Sequence, residues 1–142
     1  LTPLPENASD DLKQVRQCWQ ACGAVVREIN ATEHDRIFAA VSHFPHYLSA
    51  LYMSLVRRSD SSGMALALAG TGFRDFTRIA GGSPAMWRDI FISNKEAMLK
   101  EIDEFMPALE KTRQMIENSD AQGLHAWLEQ ASLARKKWGE NK

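Results

Sequence analysis

Apolar residues recur every three or four positions along most of this chain, which is the spacing of one face of an α-helix. From Thr32 onward no segment alternates with the period of a strand. Thr32 begins a capping pattern and predicts the start of a long helix. Its apolar stripe alternates intervals of four and three, as in helices that pair with another helix. The stripe consists of Ile37, Val41, Phe44, Leu48, Leu51 and Leu55.

Pro45 lies inside this long helix, and because it has no backbone N–H we expect a kink at residues 43–46. Ser83 and Pro84 predict the start of the longest helix, whose stripe continues as far as Ile116. Ser119 predicts the cap of a last helix. The intervening pattern predicts a polar turn at 59–63, a helical piece at 64–69, a loop at 70–72 and a short helix at 73–80.

The first thirty residues follow a different pattern. Ser9 and Asp10 predict the start of a helix that ends near Cys22, and Gly23 suits the position just after it. Residues 24–29 are rich in β-branched side chains and predict a short strand. A lone strand leaves its backbone groups unpaired, so this segment fits best as the last piece of a sheet with other strands outside the chain. The predicted fold class is all-α, a helical bundle preceded by this helix–strand remnant.

Length and composition narrow the function further. The chain has 142 residues, about one domain, and 44% of them are hydrophobic, which is enough for a core. Its formal net charge of −1 argues against nucleic acid or an anionic membrane as a partner. No apolar run approaches the roughly 20 residues of a membrane span, and no signal peptide is expected. Cys18 and Cys22 indicate free thiols in a reducing cytosol and no metal site.

The densest chemistry lies at residues 70–89, where three arginines stand among glycines and aromatic residues. The planar guanidinium group binds carboxylates through two parallel hydrogen bonds, so we interpret this run as a site for a small carboxylate. Arg78 is the main candidate, because neighbouring aromatic residues draw its short helix toward apolar surroundings. The alternative is that the arginines are solvated and that Asp75 forms a surface ion pair with Arg78.

His43 and His46 flank Pro45 and lie on one helix surface, with His34 further back. They are either structural residues or polar contacts to a ligand. The opening of the helix at Pro45 favours the second interpretation. A metal site would need a third ligand that the pattern does not supply.

Gly70 and Gly72 do not form a nucleotide loop, since no strand precedes them and Asp75 replaces the third glycine. A tight backbone path beside a ligand suits them better. Gly82 precedes a helix start that either binds an anion or is simply capped. Trp87 is either a core residue or an aromatic wall beside a ring-shaped ligand. No catalytic triad can be assembled from the sequence.

Four runs carry a resemblance to a known family. They read His-Asp-Arg at 34–36, Ser-His-Phe-Pro-His at 42–46, Gly-Phe-Arg-Asp-Phe-Thr-Arg-Ile-Ala at 72–80 and Trp-Arg-Asp-Ile at 87–90. In order and interval they resemble the C-terminal half of prephenate/arogenate dehydrogenases, over roughly residues 1–105. Thr71 and Phe44 depart from the usual glycine and leucine of that pattern.

The resemblance implies an oxidoreductase of tyrosine biosynthesis. Such enzymes pass hydride from a cyclohexadienol to NAD or NADP, and decarboxylation then yields 4-hydroxyphenylpyruvate from prephenate or tyrosine from arogenate. A Rossmann-type domain supplies the cofactor site and the catalytic histidine, whereas the helical domain forms a homodimer and closes the substrate pocket. By this resemblance residues 1–30 are the tail of the dinucleotide-binding domain and residues 31–142 the helical dimerisation and substrate domain. The enzyme would be cytoplasmic, and this chain alone inactive.

The resemblance also assigns substrate-binding residues. Arg78 matches the arginine that holds the substrate carboxylate, and His46 matches a substrate-contacting histidine. Trp87 matches an aromatic position near the pocket that reaches toward the partner subunit. The full set of expected substrate-binding residues is His46, Arg78, Asp75, Gly72, Trp87 and His43.

Two rival interpretations stay open: a non-catalytic helical dimerisation module, and the helical domain of another hydroxy-acid dehydrogenase. The sequence leaves open the choice between prephenate and arogenate, between NAD and NADP, and whether tyrosine feeds back on the enzyme.

Overall fold

In the computed structural model, which describes residues 1–58 and 61–140, the chain is helical throughout its regular structure. A π-helical turn, Ala39–His43, joins the second and third helices, and a 3₁₀ turn, Arg78–Gly81, follows the fifth. The α-helices are α1 (Ser9–Ala21), α2 (Ala31–Phe38), α3 (Phe44–Arg58), α4 (Ser62–Ala67), α5 (Thr71–Thr77), α6 (Pro84–Ser93), α7 (Lys95–Glu117) and α8 (Ala121–Glu140). None of the helices in these ranges is long and apolar enough to cross a membrane.

The chain divides into two compact units, Leu1–Glu101 and Ile102–Lys142. In the first unit, α3 packs against α4, α5 and the 3₁₀ turn, so that it is the central element beneath the predicted site. Its buried apolar residues are Ala39, Phe44 and Met98. The second unit contains α8, which follows a tight turn at Ser119 (φ 53°).

The all-helical fold is confirmed, and several helix ends lie where the sequence predicts them. Gly23 has φ 82°, and the N–H groups of Gly23 and Ala24 bond back to carbonyls of the last turn of α1. This arrangement satisfies carbonyls that a helix end otherwise leaves unpaired. Ser83 accepts from the N–H of Met86 and Pro84 opens α6. A π-helical turn, Ala39–His43, ends just before Pro45, beside the kink that the sequence predicts at residues 43–46.

Three predicted N-caps are wrong by one or two residues. Asn30, not Thr32, caps α2, and its side chain accepts from the N–H of Glu33 at 2.8 Å. Ala8 stands at the cap of α1 without a side-chain bond. Asp120, rather than Ser119, accepts from the N–H of Gly123 before α8. The observed cap lies upstream of the predicted one for α1 and α2 and one residue downstream for α8, shifts that apolar spacing cannot resolve.

Three larger predictions are also wrong. The helix beginning at Pro84 does not continue to Ile116, because Asn94 (φ −105°, ψ 35°) breaks it into α6 and α7. Thr71 and Gly72 belong to α5 and not to a loop, with Gly70 as the cap. Part of the turn predicted at 59–63 lies outside the described residues, and Gly63 belongs to α4.

The strand predicted at residues 24–29 is not formed, since among the described residues no strand lies beside it to build a ladder. The segment still has a strand-like partner at one point. The terminal ammonium group of Leu1 donates to the carbonyl of Arg27 at 2.6 Å, and the carbonyl of Leu1 accepts from the N–H of Ile29 at 3.1 Å. Leu1 thus bonds to the residues immediately before and after Glu28, which is the hydrogen-bond pattern of two parallel strands.

Candidate functional site

Two of the predicted histidines lie against one tryptophan. His46, on α3, stacks on Trp87 of α6 with ring centroids 3.7 Å apart and planes inclined by 23°. His43 meets the same indole edge-on at 6.4 Å. Phe91, one turn after Trp87, lies 5.7 Å from it. Aromatic rings at these separations attract each other beyond the apolar area that they bury, so α3 and α6 are held together at this point. We call His43, His46, Trp87 and Phe91 the histidine cluster.

A groove of about 350 Å³ opens beside this cluster. Its walls come from α3, the 3₁₀ turn and α6. The lining residues are His46, Ala50, Ile79, Ala80, Gly82, Pro84, Trp87, Arg88 and Phe91. Arg88 forms an ion pair with its neighbour Asp89 at 2.7 Å, so its guanidinium group is already partnered. The groove is mostly apolar, which suits the ring of a small ligand better than its charged ends.

Gly82, named in the sequence only as preceding a helix start, contacts the tryptophan of the histidine cluster. A Cβ atom at Gly82 would lie 2.5 Å from Nε1 of Trp87, which is closer than real Cβ atoms approach. The absence of a side chain therefore lets the indole lie directly over the backbone. The Gly-Gly pair marks a break in the sequence, but nothing in the pattern tells which glycine contacts the tryptophan.

The ring of His43 is held by Asn94, the residue that separates α6 from α7. Nδ2 of Asn94 lies 3.1 Å from Nδ1 of His43 and 2.8 Å from the carbonyl oxygen of Asp35. Burial lowers the pKa of His43, and the nearby His34 lowers it further, while Asp35 acts in the opposite direction. The structure therefore favours a neutral His43.

The predicted carboxylate site is a separate groove. Arg74 and Arg78 lie one turn apart and both line an open groove of about 370 Å³, together with Leu66, Ala69, Gly70, Phe73 and Thr77. Neither guanidinium group has an ion-pair partner among residues 1–58 and 61–140. The surface ion pair between Asp75 and Arg78, the alternative left open above, is not among the contacts of this region. Two unpaired cations in one groove form a suitable binding surface for an anion.

The structure brings the predicted residues together in two groups and not in one. His43, His46 and Trp87 form the histidine cluster, whereas Arg78 lines the other groove and is exposed. Asp75 is exposed as well. Gly72 lies within α5, and a Cβ there would meet nothing within 4 Å. No close backbone approach in the chain itself therefore requires a glycine at that position.

Ser49 connects the two groups, although no pattern in the sequence predicts this role. Its side chain is fully buried, and Oγ donates to the carbonyl oxygen of Phe76 at 2.9 Å. Ser49 lies on α3 between the histidines and the end of the helix, while Phe76 lies on α5 between Arg74 and Arg78. This bond fixes α5, which carries Arg74 and leads into the turn of Arg78, to α3, which carries His46.

No metal site is assembled within the part of the chain that the structure describes, where no three His, Cys, Asp or Glu side chains come together. Cys18 and Cys22 are both free and exposed.

Fold and site together define an all-helical domain with a histidine–tryptophan cluster and an arginine-lined groove. Residues 30–130 match the family model described as "Prephenate dehydrogenase, dimerization domain". The chain therefore belongs to the prephenate dehydrogenase family, and the resemblance seen in the sequence is confirmed.

Individual relatives agree with this assignment. The prephenate dehydrogenase of Bacillus subtilis (strain 168) is 34% identical over 132 residues, which are 92% of this chain and 36% of that protein. The cyclohexadienyl dehydrogenase of Zymomonas mobilis is 27% identical over 137 residues, covering 95% of this chain and 47% of that protein. The chain thus spans less than half the length of these curated relatives.

Solved structures give the same result. Prephenate dehydrogenase from A. aeolicus, in complex with hydroxyphenyl propionate and NAD+, superposes with a TM-score of 0.85 at 35% identity, over 96% of this chain and 48% of that one. Synechocystis arogenate dehydrogenase gives a TM-score of 0.83 at 26% identity, over 96% and 50% of the two chains.

Proposed function

We propose that this chain is the dimerisation and substrate-binding half of an NAD(P)-dependent prephenate or arogenate dehydrogenase. In this proposal the arginine-lined groove holds a substrate carboxylate through Arg78, and the histidine cluster contacts the substrate through His46. The hydride acceptor, NAD or NADP, binds mainly to the other half of the protein. The chain by itself is expected to be inactive.

The observation that carries the proposal is the pair of unpaired guanidinium groups in one groove, in a chain with a net charge of only −1. Arginine that is not paired within the protein is well suited to a carboxylate ligand, since its planar fork can donate two parallel hydrogen bonds. Asp75 follows Arg74 on α5, and its side chain is exposed rather than part of the groove lining. Both prephenate and arogenate are acids, so either substrate fits this chemistry.

Subunit pairing is supported by the amount of apolar surface that the described residues leave exposed. Few apolar side chains are buried, and many large ones are open to solvent. On the stripe of the long helix, Val41 is 69% exposed and Leu55 is 56% exposed. Exposed apolar surface on this scale is typical of surfaces that a partner covers. The family model is itself described by dimerisation, which favours a homodimer as the partner.

A dinucleotide cofactor accepts hydride when it is bound, and the described residues of this chain contain no glycine-rich loop between a strand and a helix to hold one. The parallel pairing of Leu1 with the segment around Glu28 supports residues 1–30 as the edge of a sheet-containing domain. The NAD+ in the A. aeolicus complex favours NAD.

The test uses the full-length protein and four assays, with prephenate or arogenate and with NAD+ or NADP+. We expect reduction of the nicotinamide with at least one combination. Arg78→Ala should raise KM at least about tenfold, since a hydrogen-bonded charge pair contributes roughly 1.5–3 kcal/mol.

Arg57→Ala is the matched control, because Arg57 is exposed near the end of α3 and lines none of the grooves described above. Its KM should stay at the wild-type value. An Arg78→Ala enzyme with the wild-type KM would remove Arg78 from the substrate site. No activity with either substrate, in a protein that still forms a dimer, would favour the non-catalytic module.

A further inference from the structure

The nitrogen of His46 that carries the ring proton is determined by a neighbouring group that can only accept a hydrogen bond. Nδ1 of His46 lies 2.9 Å from the carbonyl oxygen of Ser42, one turn earlier. A carbonyl oxygen only accepts, so Nδ1 must carry the proton. In the neutral ring the other nitrogen, Nε2, is then bare and can accept a hydrogen bond.

Asn94 determines the tautomer of His43, which is the opposite of the tautomer of His46. The side-chain nitrogen of Asn94 faces the carbonyl oxygen of Asp35 at 2.8 Å, and this contact fixes which end of the amide points inward. The same nitrogen lies 3.1 Å from Nδ1 of His43. Its second N–H therefore donates to Nδ1, which must be bare, and the proton of the neutral ring is on Nε2.

We infer that Asn94 is a positioning residue that, together with the Ser42 carbonyl, holds His43 and His46 in opposite tautomers, so that this pair offers one N–H donor and one bare nitrogen acceptor. The role of the pair toward the substrate rests on the proposed function, whereas the tautomers themselves do not. The donor of His43 suits a carboxylate or carbonyl oxygen, and the acceptor of His46 suits a hydroxyl or N–H group.

Asn94 also opposes protonation of His43. A proton on Nδ1 would face the N–H of Asn94, and turning the amide to accept it would break the bond to the Asp35 carbonyl. The ionisable groups that act on His43 are His34 and Asp35 on α2 and His46 on α3. Of these only Asp35 favours the charged ring, and burial opposes it.

The direct test is a spectrum of the unsubstituted full-length protein labelled with ¹⁵N-histidine, recorded at a pH at which both rings are neutral. Two-bond proton–nitrogen correlations distinguish a protonated ring nitrogen from a bare one. His43→Gln and His46→Gln variants assign the signals. We expect a bare Nδ1 in His43 and a bare Nε2 in His46. The same tautomer in both rings, or rapid exchange between tautomers in His43, would overturn the inference.

Asn94→Asp tests the positioning role with almost no change of shape. A carboxylate cannot donate to Nδ1 of His43 but can accept from it, so the proton should move to Nδ1 and the pKa of His43 should rise. The fold should persist, because position 94 immediately precedes α7, where a negative charge is favourable. Asn118→Asp, at the other end of α7, is the matched control and should leave the His43 signals in place.

Activity separates this inference from the proposed function. We expect Asn94→Asp to raise KM about tenfold, in proportion to one misdirected hydrogen bond. The substrate role of His43 would be refuted if Asn94→Asp moved the proton of His43 without changing KM and if His43→Gln also left KM unchanged. The tautomer assignment would stand in that case. Unchanged His43 signals in Asn94→Asp would refute the positioning role. If that variant does not fold, the spectrum of the unsubstituted protein still decides the tautomers.

Discussion

The histidine cluster and the arginine-lined groove differ in how far the chain completes them by itself. In the cluster each ring has a partner: His46 lies against Trp87 and the Ser42 carbonyl, and His43 contacts Asn94. In the groove, Arg74 and Arg78 have no ionic partner among the described residues. Both groups lie in the same compact unit and are joined through α3.

This difference shows which part of the site is preorganised. The orientations of the imidazole rings are set by backbone and amide contacts before any ligand arrives, so little ordering is left for binding. The guanidinium groups stand in an open groove, where a bound carboxylate would give them the partner that the chain does not. We expect changes to the packing of the cluster to alter stability, and changes in the groove to alter ligand binding with little effect on stability.

The largest effect on the cluster should come from Gly82→Ala. The added Cβ would overlap Nε1 of Trp87, so the indole must shift from its position against His46. Overpacking of this kind costs about 1–3 kcal/mol. We expect a lower thermal midpoint of the full-length protein and a changed Trp fluorescence spectrum.

Gly81→Ala provides a neighbouring control, because a Cβ at Gly81 meets nothing within 4 Å. The free energy of unfolding of this variant should stay within about 0.5 kcal/mol of the wild-type value, as is usual for surface changes, so its thermal midpoint should barely move. Equal midpoints for the two alanine variants would mean that Trp87 does not occupy this position over the backbone, and the contrast between a closed cluster and an open groove would be lost.

A smaller effect is expected from Ser49→Ala, which removes the bond between α3 and α5. The carbonyl of Phe76 loses its donor from the Ser49 hydroxyl, a change that costs about 1 kcal/mol in a typical protein. α5, which carries Arg74 and precedes the turn of Arg78, should become less firmly attached to α3, and hydrogen exchange of the α5 amides would detect this.

The control is Ser54→Ala on the same helix. Oγ of Ser54 donates to the carbonyl of Leu51, but this contact is exposed and water can replace it. The stability of that variant should be unchanged. If the α5 amides exchange at the same rate in Ser49→Ala and Ser54→Ala, the buried bond does not connect the two groups of the site.

Features encoded within a few residues were predictable from the sequence. Gly23 and Gly82 end a helix or turn, and Ser83 with Pro84 starts one, because backbone conformation and capping depend on immediate neighbours. Apolar spacing likewise predicts the helical class correctly. The density of arginines and the aromatic residues around Arg78 directed attention to it, and the resemblance then matched it to a carboxylate-binding arginine.

Features that depend on packing between distant segments were not predictable. Asn94 breaks a helix in the middle of a continuous apolar stripe, and its partners lie 51 and 59 residues earlier in the chain. Ser49 is an ordinary helix residue in the sequence and becomes important only when α5 lies over it. The separation of His46 and Arg78 into two grooves has the same origin, since each groove is assembled from several elements.

The smallest expected effect concerns pH and the neutral state of His43. Burial, followed by the nearby His34, lowers the pKa of His43 from its ordinary value of 6.5. His43 therefore binds its proton at a higher pH in the unfolded chain than in the folded chain. The resulting stability is fully present above pH 6.5 and is lost as the pH falls through the lowered pKa of the folded state.

The measurement is an NMR titration of His43 in the folded full-length protein and in the same protein unfolded in urea. The folded midpoint should be the lower of the two. Arg78→Ala should leave this difference unchanged if the arginine-lined groove and the cluster are independent, whereas Gly82→Ala should reduce it by opening the cluster to water. A folded midpoint at or above the unfolded one would mean that His43 is charged in the native protein, and the cluster would then be a second cationic surface beside the arginines instead of their neutral counterpart.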